Sequence, residues 1–193
     1  MTRIIAGRAG GRSIATPRGA STRPTTDRVR EAVFSRLEAL IDLDDTRVLD
    51  LYAGSGALGL EAVSRGAAHL LAVEKHRPTA ALVQRNAADL GFTSSVEVRN
   101  ASVARVLEGG PGEGGGYHVV FLDPPYPLPE AELGTVLELL VSQGWLDPEA
   151  VVVVERSARS PEPAWPEGME HLGTRSYGET AVHVAEPARH TED

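Results

Sequence analysis

The chain contains no cysteine, which excludes disulfides and thiolate metal sites together. No apolar run approaches the roughly 18 residues of a membrane span, and no signal-peptide pattern opens the sequence. A soluble, cytoplasmic protein is the expectation. The six histidines show no metal-ligand spacing, so no metal site is expected. No internal repeat is visible, and no Ser-Tyr-Lys or His-based hydride machinery. What is present is ordinary globular material. With 193 residues, 41% hydrophobic and 24% charged, the chain suits one domain with a real core.

The net charge of −8 looks wrong for a partner of nucleic acid, but it is unevenly spread. Residues 1–36 hold eight arginines (Arg3, Arg8, Arg12, Arg18, Arg23, Arg28, Arg30, Arg36) against Asp27 and Glu31, a net +6. The remainder holds 11 bases and 25 acids, a net −14. A basic arm on an acidic body suits a polyanion gripped at one end. A solubilising tail would carry the same signature.

Residues 3–6 and 12–15 read as short extended runs around Gly7 and the Gly10-Gly11 pair, a plausible hairpin. Residues 19–25 read as loop. A helix starts near Thr26 or Asp27, with Val29, Val33, Leu37, Leu40 and Ile41 at helical spacing. Strands are then expected at 46–52, 69–74, 95–99, 117–122 and 150–155, and helices at 57–65, 77–90, 101–108 and 130–143. Gly66, Gly91 and Gly144 supply left-handed helix stops. Strict alternation implies right-handed crossovers and a parallel sheet covered on both faces. Two final extended stretches, 169–177 and 180–185, are linked by only Gly178-Glu179, so the sheet should end in an antiparallel strand. The Gly-rich stretch 109–116 reads as a surface loop.

After the first strand of this α/β unit comes Asp50-Leu-Tyr-Ala53-Gly54-Ser-Gly56-Ala-Leu-Gly59. Its glycine spacing matches the dinucleotide fingerprint, and Glu74 follows about 20 residues on, where an acid binds ribose hydroxyls. Asp50 separates the candidate cofactors. A pyrophosphate at this helix N-terminus wants positive potential, which a carboxylate opposes. S-adenosylmethionine has no phosphate, and it carries an ammonium and a cationic sulfur. Asp50, Ala53, Gly54, Gly56 and Glu74 are therefore candidate contacts to that cofactor. The alternative is a tight turn with two incidental acids.

The fourth strand of the unit ends in Asp123-Pro124-Pro125-Tyr126. Ligands of open α/β sheets sit beyond the carboxyl ends of the strands, so this turn and the glycine loop open into one crevice. Each proline fixes its own φ and lacks an N–H, which leaves rigid carbonyls free for a ligand. An exocyclic amine of a base is a poor nucleophile because its lone pair is delocalised into the ring. The Asp123 carboxylate and the Pro124 carbonyl can hold its two N–H groups, orient the lone pair and stabilise developing charge. Tyr126 can stack on a base that has left its own stack. The bland alternative is a Pro-Pro turn beside a surface tyrosine.

Together these residues resemble an amino-type, class I methyltransferase. The arm narrows the resemblance. Arg3-Ile-Ile-Ala-Gly7 with Gly11-Arg12, then Arg23-Pro-Thr-Thr-Asp27-Arg28-Val-Arg30-Glu31-Ala-Val-Phe34, is similar to the bacterial small-subunit (16S) ribosomal RNA guanine-N2 methyltransferases. So are Val48-Leu-Asp-Leu-Tyr-Ala-Gly-Ser-Gly56, Val73-Glu-Lys75, Asp123-Pro-Pro-Tyr126 and Tyr177-Gly-Glu-Thr180. The likeness spans roughly residues 3–186. It implies a Rossmann-like α/β fold with a seven-stranded, mostly parallel sheet, a C-terminal antiparallel strand and a basic N-terminal β-hairpin. The expected units are an arm over 1–22, a methyltransferase domain over 23–187 and a disordered tail over 188–193.

The resemblance further implies S-adenosyl-L-methionine as cofactor and guanine N2 in small-subunit rRNA, free or in a 30S particle, as target. It places segment 23–31 near the methionine end of the cofactor and the target base, making Thr25 and Arg28 candidate nucleic-acid contacts, and Asn100-Ala101 near the adenine. Arg3, Arg8, Arg12, Arg18 and Arg23 are the candidate phosphate contacts, giving salt-dependent and largely sequence-independent affinity. Choice of base falls to the pocket around Tyr126. Tyr177 and Glu179, near the final hairpin turn, either line that pocket or close the sheet. No metal and no membrane partner are expected, and monomer is the default. The rival readings are a DNA adenine-N6 methyltransferase, a nicotinamide-dependent oxidoreductase and a non-catalytic RNA-binding protein.

Overall fold

The computed structural model describes residues 2–18 and 27–189. Strands β3 (Arg47–Asp50), β4 (His69–Val73), β5 (Val96–Arg99), β6 (Tyr117–Leu122) and β7 (Leu146–Ser157) alternate with helices. These are α2 (Ala57–Ser64), α3 (Arg77–Asp89), α4 (Val103–Glu108) and α5 (Glu130–Ser142), with α1 (Asp27–Glu38) preceding the unit. Strands β8 (Met169–Tyr177) and β9 (Thr180–Pro187) close it. The seven-stranded sheet runs β5-β4-β3-β6-β7-β9-β8. The pairs among β3 to β7 are parallel, and β9 is antiparallel to both β7 and β8.

The expected antiparallel strand is therefore the last in the chain but not the last in the sheet. β9 is inserted between β7 and β8, which leaves β8 at the edge. β7 also starts four residues earlier than the expected strand at 150–155, because Leu146 pairs with Tyr117 across a register shift. Pro148 hides that extension from a reading by pattern.

The alternation of side chains along the strands splits the core in two. Val48, Leu70, Ala72, Val119, Phe121 and Val153 face α1, α2 and α3. Leu49, Leu71, Val73, Val120, Leu122 and Val154 face α4 and α5. The apolar stripe of α1 ends at Leu37 rather than Ile41. The helix stops at Glu38, and Leu40 is 47% exposed. Gly91 and Gly144 do follow their helices in the left-handed region, with φ of 78° and 71°.

The N-terminal hairpin is present but short. β1 (Thr2–Arg3) pairs with β2 (Ser13–Ile14) around a 3-10 turn at Gly7–Ala9. It does not project as a free arm. Ile4, Ala9 and Ile14 are buried in the same core as α1 and α2, and polar latches hold the backbone down. The fully buried Glu61 of α2 accepts the N–H groups of Ile5 (2.7 Å) and Ala6 (3.0 Å) and an ion pair from Arg65 (2.8 Å). Ser64 Oγ accepts from Ala9 N–H and donates to the Ala6 carbonyl. Asn86 of α3 brackets Ala15, accepting its N–H and donating to its carbonyl. At Gly7 a Cβ would lie 1.9 Å from the Ser64 carbonyl oxygen, so only glycine permits this approach.

Removing the carboxylate as Glu61→Ala would strand the part-buried N–H groups of Ile5 and Ala6 and leave Arg65 with Glu38 alone as its ion-pair partner. Such losses cost about 3–5 kcal/mol when one partner of a buried ion pair goes. Urea unfolding should show a loss of that size. A loss below about 1 kcal/mol would mean that Glu61 is not what fastens the hairpin.

Candidate active site

The chain runs outward from β3 through β4 to β5, then crosses back to place β6 on the other side of β3. At this reversal the loops after β3 and β6 must part, and a crevice opens beyond their carboxyl ends. A cleft of about 910 Å³ lies there, at the upper end of the roughly 300–1,000 Å³ usual for small-molecule sites. Asp50 to Ser55, Glu74, Ala101 to Ala104 and residues 123–128 line it. The glycine loop and the Asp-Pro-Pro-Tyr turn thus share one cavity, as expected. Asp50 pairs in register with Phe121, two residues before Asp123.

Asp50 is 1% exposed. Its Oδ2 accepts the Gly59 N–H at 3.1 Å, while Oδ1 is buried with no hydrogen-bond partner among the described residues. Burial pushes its carboxyl up to about 7; the Gly59 hydrogen bond opposes this, and the charges of Asp123 and Glu74 add to it. A buried carboxylate with an unsatisfied oxygen fits a ligand that brings a cation and N–H donors. The ammonium of S-adenosylmethionine has that chemistry, whereas a pyrophosphate does not.

Across the loop, Glu74 Oε2 accepts the Gly54 N–H at 3.1 Å and Oε1 accepts the His76 N–H at 2.8 Å. Each oxygen keeps a lone pair for a ribose hydroxyl. The loop bends because Gly54 and Gly56 take φ of 56° and 84°, a region that residues with a Cβ avoid. Gly56 itself does not line the cleft; it starts α2.

In the acceptor turn, Pro124 is buried and Tyr126 is 46% exposed. The sequence suggested that both proline carbonyls lack local donors. That is corrected for Pro125, whose carbonyl accepts the Leu128 N–H at 3.0 Å. The Pro124 carbonyl receives no backbone N–H among the described residues, so it is the carbonyl that a ligand can use.

Other expected residues fall elsewhere. Asn100 is exposed and outside the cleft lining; its amide nitrogen donates to the Glu74 and Lys75 carbonyls, both at 2.9 Å. It braces the loop behind Glu74, and Ala101 is the neighbour that lines the cavity. Among the arginines, Arg3 pairs with Asp27 at 2.8 Å and Arg8 lies over the Phe92 ring. Arg12 donates to the carbonyls of Leu90 and Asp89 at the end of α3. Arg18 and Arg28 are exposed. Arg23 and Thr25 lie outside the described residues, as does the expected helix start at Thr26.

Pattern reading missed Arg30. Its side chain is 3% exposed and lines the cleft with Thr2, Thr16 and Asp27. It donates to Asp27 Oδ1 (3.0 Å), Thr2 Oγ1 (3.3 Å) and the Arg3 carbonyl, and its buried Nε has no partner among the described residues. Burial pulls the guanidinium below its ordinary value, and the charges of Glu61 and Asp27 oppose that pull. The available signal was its place four and seven residues before Phe34 and Leu37, a charge on an apolar stripe.

The family model described as "Conserved hypothetical protein 95" matches residues 2–186. The chain belongs to this family. The Escherichia coli (strain K12) ribosomal RNA small subunit methyltransferase D is 37% identical over 164 residues, covering 85% of this chain and 79% of that protein. YlbH of Bacillus subtilis (strain 168) is 34% identical over 182 residues, 94% and 97% of the two chains. The solved structure of Escherichia coli YhhF superposes with a TM-score of 0.82 at 33% identity, covering 96% and 97%. The fold of this family member is the methyltransferase fold, with its seven-stranded sheet and antiparallel C-terminal strand.

Burial pushes the Asp50 carboxyl from its ordinary 3.8 up to about 7, so the neutral carboxyl is the form that burial favours. Stability from that form is lost as pH rises through about 7. A ligand that needs the ionised form follows the opposite trend. S-adenosylhomocysteine should therefore bind more tightly as pH rises from 5.5 to about 7, with its own α-amino group still protonated because the adjacent carboxylate favours the ammonium form. Calorimetric titration across this range should show the rise, and Asp50→Asn should bind weakly without it. An affinity independent of pH in the unsubstituted chain would remove Asp50 from the ammonium site.

Proposed function

We propose that this chain transfers a methyl group from S-adenosylmethionine to the exocyclic N2 of a guanine in small-subunit ribosomal RNA. Methyl transfer to small-subunit rRNA rests on membership in a family with a relative named for that activity. The chemistry of the site supports an exocyclic amine of a base as acceptor, and guanine N2 rests on the resemblance to the small-subunit guanine-N2 methyltransferases. The observation that carries the reading is the shared cavity, which joins a buried cation-seeking acid, Asp50, to the acceptor pair Asp123 and Pro124.

S-adenosylmethionine supplies an activated methyl group on a sulfonium. Asp50 holds the ammonium, Glu74 the ribose hydroxyls, and the Arg30 Nε is the donor suited to the carboxylate. Ala53, Gly54 and Ala101 form walls that let the ligand approach closely. The Asp123 carboxylate and the Pro124 carbonyl accept the two N–H groups of the base, so the nitrogen lone pair faces the methyl carbon. As the N–C bond forms and the C–S pair returns to sulfur, positive charge grows on nitrogen. Asp123 stabilises that charge and lies where one amine proton leaves. Tyr126 stacks on the flipped base. No covalent intermediate on the protein is required. The exposed Arg18 and Arg28 are the described arginines best placed to touch phosphate, since Arg3, Arg8 and Arg12 hold partners within the chain.

Labelled methyl transfer to unmodified 30S subunits, naked small-subunit rRNA and duplex DNA, followed by nucleoside analysis, tests the reading. N2-methylguanosine from an rRNA sample, with none from DNA, is expected. N6-methyladenine in DNA would overturn the substrate and keep the acceptor chemistry. Asp123→Ala should lower turnover at least 1,000-fold while S-adenosylhomocysteine affinity changes less than threefold. Unchanged turnover would refute the role of Asp123.

A further inference from the structure

A second pocket of about 440 Å³ adjoins the main cleft and shares Tyr126 with it. Its other walls are Ser157 to Arg159, where β7 ends, and the Gly178-Glu179 turn that joins β8 to β9. The two segments are tied together by the Ala158 N–H, which donates to the Glu179 carbonyl at 2.8 Å. The Arg159 N–H donates to Ser157 Oγ at 3.2 Å. The floor is therefore held by a backbone bond and the Ser157 hydroxyl, without the side chains of Arg159 and Glu179.

Neither of those side chains has a hydrogen bond or an ion pair among the described residues, and they do not pair with each other. An arginine and a glutamate that face one pocket unpaired offer a donor fork and an acceptor separated by free space. Asp123 and Pro124 line the main cleft and not this pocket. Tyr126 belongs to both. A base stacked on Tyr126 with its amino group at Asp123 has its remaining polar edge to satisfy.

We infer that this pocket reads the O6 and N1 edge of the target guanine, with Arg159 donating to O6 and N7 and Glu179 accepting from N1–H. The inference rests on the function proposed above and supplies the base selectivity that Asp123 and Pro124 lack, since those two accept from any exocyclic amine. Guanine offers acceptors at O6 and N7 and a donor at N1. Adenine reverses the polarity at both the six-position and N1. An adenine with its amino group at Asp123 and Pro124 would meet Glu179 with a ring-nitrogen lone pair and offer Arg159 no six-position oxygen. Hydrogen-bonding sites reject such analogues strongly because their own charged groups are then left unpaired. Tyr177, by contrast, packs against the core and takes no part in the pocket.

The test uses 30S particles carrying either guanine or 2-aminopurine at the methylated position. 2-Aminopurine keeps the acceptor amine and lacks both O6 and N1–H. The unsubstituted chain should prefer guanine at least 100-fold in kcat/KM. Glu179→Ala and Arg159→Ala should each lower kcat/KM for guanine about 30-fold while changing that for 2-aminopurine less than threefold, so the preference collapses. S-adenosylhomocysteine affinity serves as the check on folding. Variants that lower both substrates equally, as they would if the pocket held a flanking nucleotide, overturn this inference alone. So do variants that leave the guanine preference intact. If the unsubstituted chain methylates neither substrate, the proposed function falls and this inference with it.

Discussion

The burial of Asp50 at the reversal of strand order is the constraint on which the site depends. Hydrogen bonding along β3 and β6 fixes the end of β3 within two residues of Asp123 in register. The same pairing withdraws the Asp50 carboxyl from water and leaves one oxygen unsatisfied. Burial pushes this carboxyl up to about 7, and beyond the Gly59 N–H a cation in the cleft would offset its desolvation. In the proposed function that cation is the cofactor ammonium, with the glycine loop and Glu74 seating the rest of the ligand.

A second consequence concerns the N-terminal segment. Its charge suggests an arm that reaches out to RNA, yet much of its polar chemistry is turned inward. Glu61, Ser64 and Asn86 capture its backbone, and Arg12 caps the carbonyl end of α3, where a cation is favourable. The hairpin is thereby part of the cleft wall, with Thr2 and Thr16 lining it beside Arg30. Positive charge that arrives by sequence count is partly spent on holding the wall in place. Arg3, Arg8 and Arg12 are exposed as well as partnered within the chain, and Arg18 and Arg28 are exposed beside them.

Much of the architecture was legible in the residues because it is written in local patterns. The run Val119 to Leu122 has no polar face, as a strand covered on both sides requires. The Gly178-Glu179 link is too short for a crossover and forces a hairpin. Asp50, Gly54, Glu74 and Asp123 could be placed in one crevice because parallel strands deliver their carboxyl ends to one edge of the sheet. The insertion of β9 inside β8 was not legible, since either order satisfies the same pattern. Nor was the role of Asn100, which depends on where the backbone of Glu74 and Lys75 lies.

The sequence by itself determined the alternation of strands and helices, the glycine loop with its acids, and the acceptor turn. Each is a property of neighbours along the chain, where spacing and backbone preference decide the outcome. Only the tertiary structure decided which charges meet. Arg30 enters the cleft, Glu61 fastens the hairpin, and Arg159 and Glu179 come to share a wall with Tyr126, although 33 and 53 positions separate these two from it along the chain. Pairings of that kind depend on burial and on the meeting of remote segments, and charge acts through distance in space rather than order in sequence.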